Sequence, residues 1–211
     1  MNIEKCKIHE TSKSLKFQNY FATFSSFGVY LMKYLQDDQQ LIQQCIDKQA
    51  QAQKEFYMRF SSKMYGVCLR YLKNEADAKD LMHDGFMMVF DKLHLFKGGN
   101  LGAWMSRIFA NLAITKIRKR KRGPVFAEMD ENLNVNQDED INVQIDPKIE
   151  LATVMQAMNK LSDKYRTILN LYAIDKLSHK EIAEMLDISV GTSKSQLSRA
   201  RVMLKDLIEK K

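Results

Sequence analysis

Side chains able to do acid–base, nucleophilic or metal chemistry are thinly spread in this chain. The four histidines, His9, His83, His94 and His179, lie scattered with no partner at the spacing of a catalytic constellation. Cys6, Cys45 and Cys68 show no metal-type spacing and point to a reducing compartment without a disulfide framework. The nearest approach to a metal site is the acidic face of Asp77, Asp80 and Asp84, one side of a helix, with His83 beside it. A metal wants ligands that converge, whereas His83 and Asp84 are neighbours that diverge on a helix. On the residues alone, that face reads otherwise as a solvated stripe. No phosphate-cradling P-loop is present. An enzyme, a cofactor, a metal and a small-molecule substrate are therefore not expected.

What the residues do offer is contact with an anionic polymer. Lys116, Arg118, Lys119, Arg120, Lys121 and Arg122 put six cations into seven residues. Cations at a helix C-terminus gain a few tenths of a kcal/mol each from the helix dipole, which alone does not call for six. Such density suits a phosphate backbone. Upstream on the same helix, Arg107, Asn111, Thr115 and Arg118 form a polar stripe. Trp104, the single tryptophan, lies one turn before Arg107. It either packs in the core or stacks on an exposed base. Near the C-terminus, Thr192, Lys194, Ser195, Ser198 and Arg199 share the outer face of another helix. Short hydroxyls and cations there fit a helix whose first half enters a major groove.

The elements that position these groups are helical. Of 211 residues 45% are hydrophobic, only 8 are glycine and 2 proline, and apolar residues recur at helical spacing. The net charge of +7 agrees with a nucleic-acid partner. Residues 37–96 predict three helices. Their apolar stripes are Leu41, Ile42, Cys45 and Ile46; then Phe56, Phe60, Met64, Val67, Cys68 and Tyr71; then Leu81, Met82, Phe86, Val89, Phe90 and Leu93. The loop Phe96–Asn100 holds Gly98 and Gly99, which allow positive φ. A helix over 101–121 follows, with Leu101, Met105, Ile108 and Leu112 as its expected buried stripe. After the linker, Leu151, Val154, Met155, Met158 and Leu161 repeat at helical spacing, and Ser162 is read as the cap of the next helix. The last stretch is a helix-turn-helix. Ser178 and Glu181 make a capping box, Ile182, Ala183 and Leu186 face inward, and residues 187–189 break the chain. Ser189 caps a second helix with Leu197, Ala200, Leu204 and Leu207 inside.

Two segments stand outside this pattern. Residues 1–36 form an extension in which Tyr20–Met32 is uncharged but thirteen residues long, too short to cross a bilayer. Met32 is read as an alternative start, and membrane insertion is not expected. Residues 123–150 carry Glu128, Asp130, Glu131, Asp138, Glu139, Asp140, Asp146 and Glu150 against Lys148, and lack apolar periodicity. They are read as a flexible acidic linker, spanning roughly 90 Å at full extension. The expectation is an all-α protein of two small helical domains, 37–122 and 151–211, tethered by 123–150.

Three stretches in this order resemble the bacterial sigma factors of the extracytoplasmic-function type: EADAKDLMHDGFMMVF, FKGGNLGAWMSRIFANLAITKIRKRKR and LSDKYRTILNLYAIDKLSHKEIAEMLDISVGTSKSQLSRAR. The resemblance implies a region 2 helical bundle and a region 4 helix-turn-helix, with core RNA polymerase and promoter DNA as partners, in the cytoplasm. It also admits an anti-sigma factor. It would place Asp77, Asp80, Leu81, Asp84 and Phe86 on the polymerase clamp. Trp104, Arg107, Asn111, Arg118, Lys119, Arg120 and Arg122 would take the melted minus-10 strand. Thr192, Lys194, Ser195, Ser198 and Arg199 would meet the minus-35 element. The chain departs from the family where Gln-Glu is usual: it has His83-Asp84, followed by Gly85, which costs a helix about 1 kcal/mol relative to alanine. A stand-alone helix-turn-helix regulator that never engages polymerase is the competing reading.

Overall fold

The computed structural model describes residues 38–121, 125–126 and 150–210, and every regular element among them is helical. The extension 1–36, Arg122 and most of the acidic linker lie outside the described residues. The chain divides into two compact units between Phe56 and Tyr57.

In the first unit, α1 covers residues 38–46 and buries Leu41 and Cys45. Lys48 turns the chain with φ of 59°, and α2 (Ala50–Tyr71) begins, with Ala52 and Phe56 buried.

In the second unit, the remainder of α2 buries Met64, Val67, Cys68 and Tyr71, at steps of three, one and three. Asn74 starts α3 (Glu75–Lys92), its side-chain oxygen accepting the Ala76 N–H at 2.8 Å. A short 3₁₀ turn, Leu93–Leu95, leads to Gly98 and Gly99, whose φ angles of 99° and 92° need glycine as expected. Asn100 caps α4 (Leu101–Lys121) by accepting the Ala103 N–H at 2.9 Å.

The buried side of α4 is rotated from the expected one. Met105, Phe109, Ala110, Ala113, Ile114 and Ile117 are inside, whereas Leu101, Ile108 and Leu112 are only half-buried. The cause lies in α3, which packs against α4. Gly85 leaves the space that the Phe109 ring occupies, and a Cβ there would collide with it. The ring also meets Phe86 edge-on, with centroids 5.6 Å apart. The glycine that weakens α3 as a helix is what lets the two helices approach.

Residues 150–210 build four further helices, α5 (Leu151–Lys160), α6 (Asp163–Leu169), α7 (His179–Leu186) and α8 (Val190–Glu209). α8 packs against the other three. α6 continues through a wider π turn, Asn170–Ile174. Ser162 stands at the N-cap of α6 but its side chain makes no capping bond, unlike the expectation. All of α6 is buried, including Asp163, Lys164, Arg166 and Thr167. A helix buried all round is normally apolar. Here Asp163 and Arg166 bind each other, Arg166 also donates to the Tyr71 carbonyl, and Lys164 lies over the Tyr165 ring.

Candidate nucleic-acid interface

The helix-turn-helix forms as its local chemistry dictates. The Glu181 N–H reaches the Ser178 hydroxyl, and the Glu181 carboxylate accepts the Ser178 N–H at 2.9 Å, completing the capping box. These bonds to Ser178, with Arg107 alongside, hold the Glu181 carboxyl below its ordinary pKa. Asp187 ends α7 in the left-handed region with φ of 54°. The Ser189 hydroxyl accepts the Thr192 N–H at 2.9 Å and starts α8.

On α8, Lys194 is exposed, while Thr192, Ser195, Ser198 and Arg199 are half-buried. Thr192 and Ser195 are held locally: the Thr192 hydroxyl lies 2.8 Å from that of Ser189, and Ser195 donates to the Thr192 carbonyl at 3.1 Å. Ser198 Oγ and Arg199 Nε are buried with no hydrogen-bond partner among the described residues. Sequence reasoning missed Ser193 and Gln196, both buried on the same turns. Ser193 pairs with His179 Nδ1 at 2.9 Å, and the Gln196 amide donates to the Phe126 carbonyl at 2.5 Å. Nothing within four residues of either signals these partners.

On α4, Arg107, Asn111, Lys119 and Arg120 are exposed, and Trp104 and Arg118 are half-buried. Trp104 packs on Phe96, ring centroids 5.5 Å apart, and lines a cleft of about 950 Å³. Lys63, Arg70, Arg107, Met155, Leu177 and Glu181 share that cleft. Arg107 forms an ion pair with Glu181, and Arg118 reaches the Met185 carbonyl at 3.5 Å. Arg118 also lies over the Phe126 ring. Arg120 binds Asp163 at 2.8 Å and lies 3.9 Å from Asp77.

The residues expected to meet a polymerase separate into two groups. Leu81 and Phe86 are 2% and 3% exposed, so they belong to the core and can only position the helix. Asp80 and Asp84 are exposed, and Asp77 is half-buried. Lys116 binds Asp77 at 3.0 Å and Asp80 at 3.4 Å. Burial works against its charge, but the bonds to these carboxylates outweigh it and raise its pKa. Part of the acidic face thus serves the fold itself.

The family comparisons match these helices one region at a time. The model for sigma-70 region 2 matches residues 56–123, and that for sigma-70 region 4 matches residues 151–204, together more than half of the chain. The chain belongs to the extracytoplasmic-function sigma factors of the sigma-70 family. This sigma factor is similar to the ECF RNA polymerase sigma factor SigW of Bacillus subtilis, 29% identical over 160 residues, 69% of this chain and 83% of that one. It is similar to SigE of Mycolicibacterium smegmatis, 28% identical over 157 residues, 74% of this chain and 61% of that one. Among solved structures it resembles the sigma factor RpoE in complex with the anti-sigma factor NepR from Bartonella quintana. That match has 24% identity and a TM-score of 0.49, covering 74% of this chain and 96% of that one. In this sigma factor α2–α4 carry region 2 and α5–α8 carry region 4.

Proposed function

We propose that this sigma factor binds core RNA polymerase and directs initiation at promoters whose minus-10 and minus-35 elements it recognises. The observation that carries the reading is the match of α2–α4 to region 2 and of α5–α8 to region 4, in that order. The polymerase side is the exposed edge of α3 around Asp80 and Asp84, with Asp77 and the buried Leu81 and Phe86 setting its position. Trp104, Arg107, Asn111, Arg118, Lys119, Arg120 and Arg122 hold the melted minus-10 strand. Stacking a base on an aromatic ring returns about 1–3 kcal/mol, against roughly 1.4 kcal/mol per step of duplex opened. Thr192, Lys194, Ser195, Ser198 and Arg199 face the minus-35 element, with Lys194 the most accessible of them. The domain plan is 37–122 for region 2, 123–150 for the acidic linker and 151–211 for region 4. The protein works in the cytoplasm, where polymerase and chromosome are, and an anti-sigma factor is its proposed regulator.

Reconstitution with purified core polymerase tests this. Co-elution and promoter-specific transcripts are the expected result. Free migration of the protein beside an inactive core, with duplex binding retained, would leave the stand-alone helix-turn-helix regulator instead.

A further inference from the structure

Most of the cleft beside Trp104 is lined by apolar side chains, which a nucleic-acid strand does not need. Its innermost residues, Val67, Ala110 and Leu171, are fully buried. Around them stand the Trp104 ring and the side chains of Met155 and Ile174, which are 38% and 42% exposed. Large apolar side chains left open together in a concave place mark a ligand groove rather than ordinary surface. The volume of about 950 Å³ lies within the range of small-molecule sites, about 300–1,000 Å³.

The charges around the cleft do not cancel. Lys63, Arg70, Arg107 and Lys176 face Asp175 and Glu181. Both acids are already matched: Arg70 binds Asp175 at 3.1 Å, and Arg107 pairs with Glu181. Lys63 and Lys176 are exposed and form no ion pair among the described residues. Two uncompensated ammonium groups beside apolar walls attract an anion, because low-dielectric walls concentrate their field. Lys176 stands at φ of 58° where the π turn ends, and the next N–H, of Leu177, bonds to the Leu171 carbonyl at 3.0 Å. The backbone there favours glycine, so what the position offers is the lysine side chain.

The uncharged polar side chains of the cleft are Asn100 and Ser106, and each is engaged locally. Asn100 caps α4 through the Ala103 N–H, and Ser106 donates to the Gly102 carbonyl at 2.8 Å. A sugar or nucleotide, which asks for many hydrogen-bonding groups, would therefore find few and would leave the apolar floor uncovered.

We propose that the cleft is a binding site for a fatty acid of medium chain length. The chain lies against Val67, Trp104, Met155 and Ile174, and the carboxylate stays at the wet margin with Lys63 and Lys176. The site stands on the cleft's own residues and does not depend on which nucleic acid α4 meets.

The test titrates the full-length protein with octanoate, decanoate and dodecanoate below their micelle concentrations, by calorimetry and by the emission of Trp104, the single tryptophan. The expected result is one saturable site, a blue shift of Trp104, and affinity rising about three- to fourfold for each added methylene. Lys176→Gly suits the backbone of the turn and should weaken decanoate about two- to fivefold while leaving 1-decanol unchanged. Ile174→Glu, at an exposed position outside the core, should abolish binding of both. No saturable binding of any of the three acids, or decanoate binding that neither variant alters, would overturn the proposal. A dimer of the wild-type protein that Ile174→Glu dissociates, seen by light scattering, would give the cleft to a second copy of the chain and overturn it as well.

Discussion

The phenol of Tyr71 donates a hydrogen bond of 2.5 Å to the Asp175 carboxylate, 104 residues further along the chain. The same carboxylate accepts one from Arg70 at 3.1 Å. Two consecutive residues at the end of α2 therefore converge on the turn that follows α6. Asp175→Asn leaves Arg70 partly buried without its anion and should cost about 1–3 kcal/mol, while Tyr71→Phe should cost about 1 kcal/mol. Urea unfolding of both variants and their double should show non-additivity of at least about 0.5 kcal/mol. Strict additivity would mean the two groups do not act as a unit.

Alkaline pH should weaken the fold before it ionises the native protein. Burial, then the Asp175 carboxylate, hold the Tyr71 phenol well above its usual 10.0, and burial pushes the Cys68 thiol from 9.0 up to about 12. Both groups keep their protons in the folded protein at pH values where the unfolded chain has lost them. Their contribution is therefore complete below the unfolded pKa values and is lost as pH rises through the interval toward the folded ones. Unfolding free energy measured from about pH 8 to about pH 11 should fall, and Tyr71→Phe should flatten the fall. An unchanged slope in that variant would remove Tyr71 from the account.

Gly85→Ala should destabilise the protein although alanine is the better helix former. The helix gain is about 1 kcal/mol, and overpacking against the Phe109 ring costs about 1–3 kcal/mol. The companion Phe109→Leu should lessen the penalty of Gly85→Ala, as read by thermal or urea unfolding of the single and double variants. A stabilised Gly85→Ala would show that the helices can part freely there.

Arg166 is 1% exposed and binds Asp163 at 2.7 Å and the Tyr71 carbonyl. Burial works to lower its pKa, and Asp163 opposes that. Arg166→Ala leaves Asp163 with the more exposed Arg120 as its remaining cation and the Tyr71 carbonyl without its donor, and should cost about 1–3 kcal/mol. Replacing both residues by apolar ones of similar volume should cost less, because no buried carboxylate is left. Equal losses in the two cases, measured by denaturant unfolding, would argue that packing and not charge sets the penalty.

At the promoter, two substitutions should separate base reading from phosphate contact. Arg199→Ala should remove about 1–3 kcal/mol of discrimination at one minus-35 position. Lys119→Ser should weaken binding across sequences and lower the salt slope by about 1. Holoenzyme binding to matched and mutated promoters across a salt series reads both. An unchanged sequence preference for Arg199→Ala would make it a surface charge.

What the sequence determined by itself is the set of helices and most of their faces. Residues a few positions apart decide these: Ser178 with Glu181, Ser189 with Thr192, Gly98 and Gly99 in the loop, Ile182, Ala183 and Leu186 along one side of α7. The order of the two sigma regions was equally legible, since each carries its own local pattern. Tertiary structure alone decided which side of α4 is buried, because apolar residues surround much of that helix and only the gap at Gly85 selects Phe109. It also decided that Leu81 and Phe86 are core, and that Arg107, Arg120 and Tyr71 meet Glu181, Asp163 and Asp175. The reason is one of range. Helix caps and stripes are settled between neighbours, whereas a charge pair across a seam depends on where two separately formed helices come to rest.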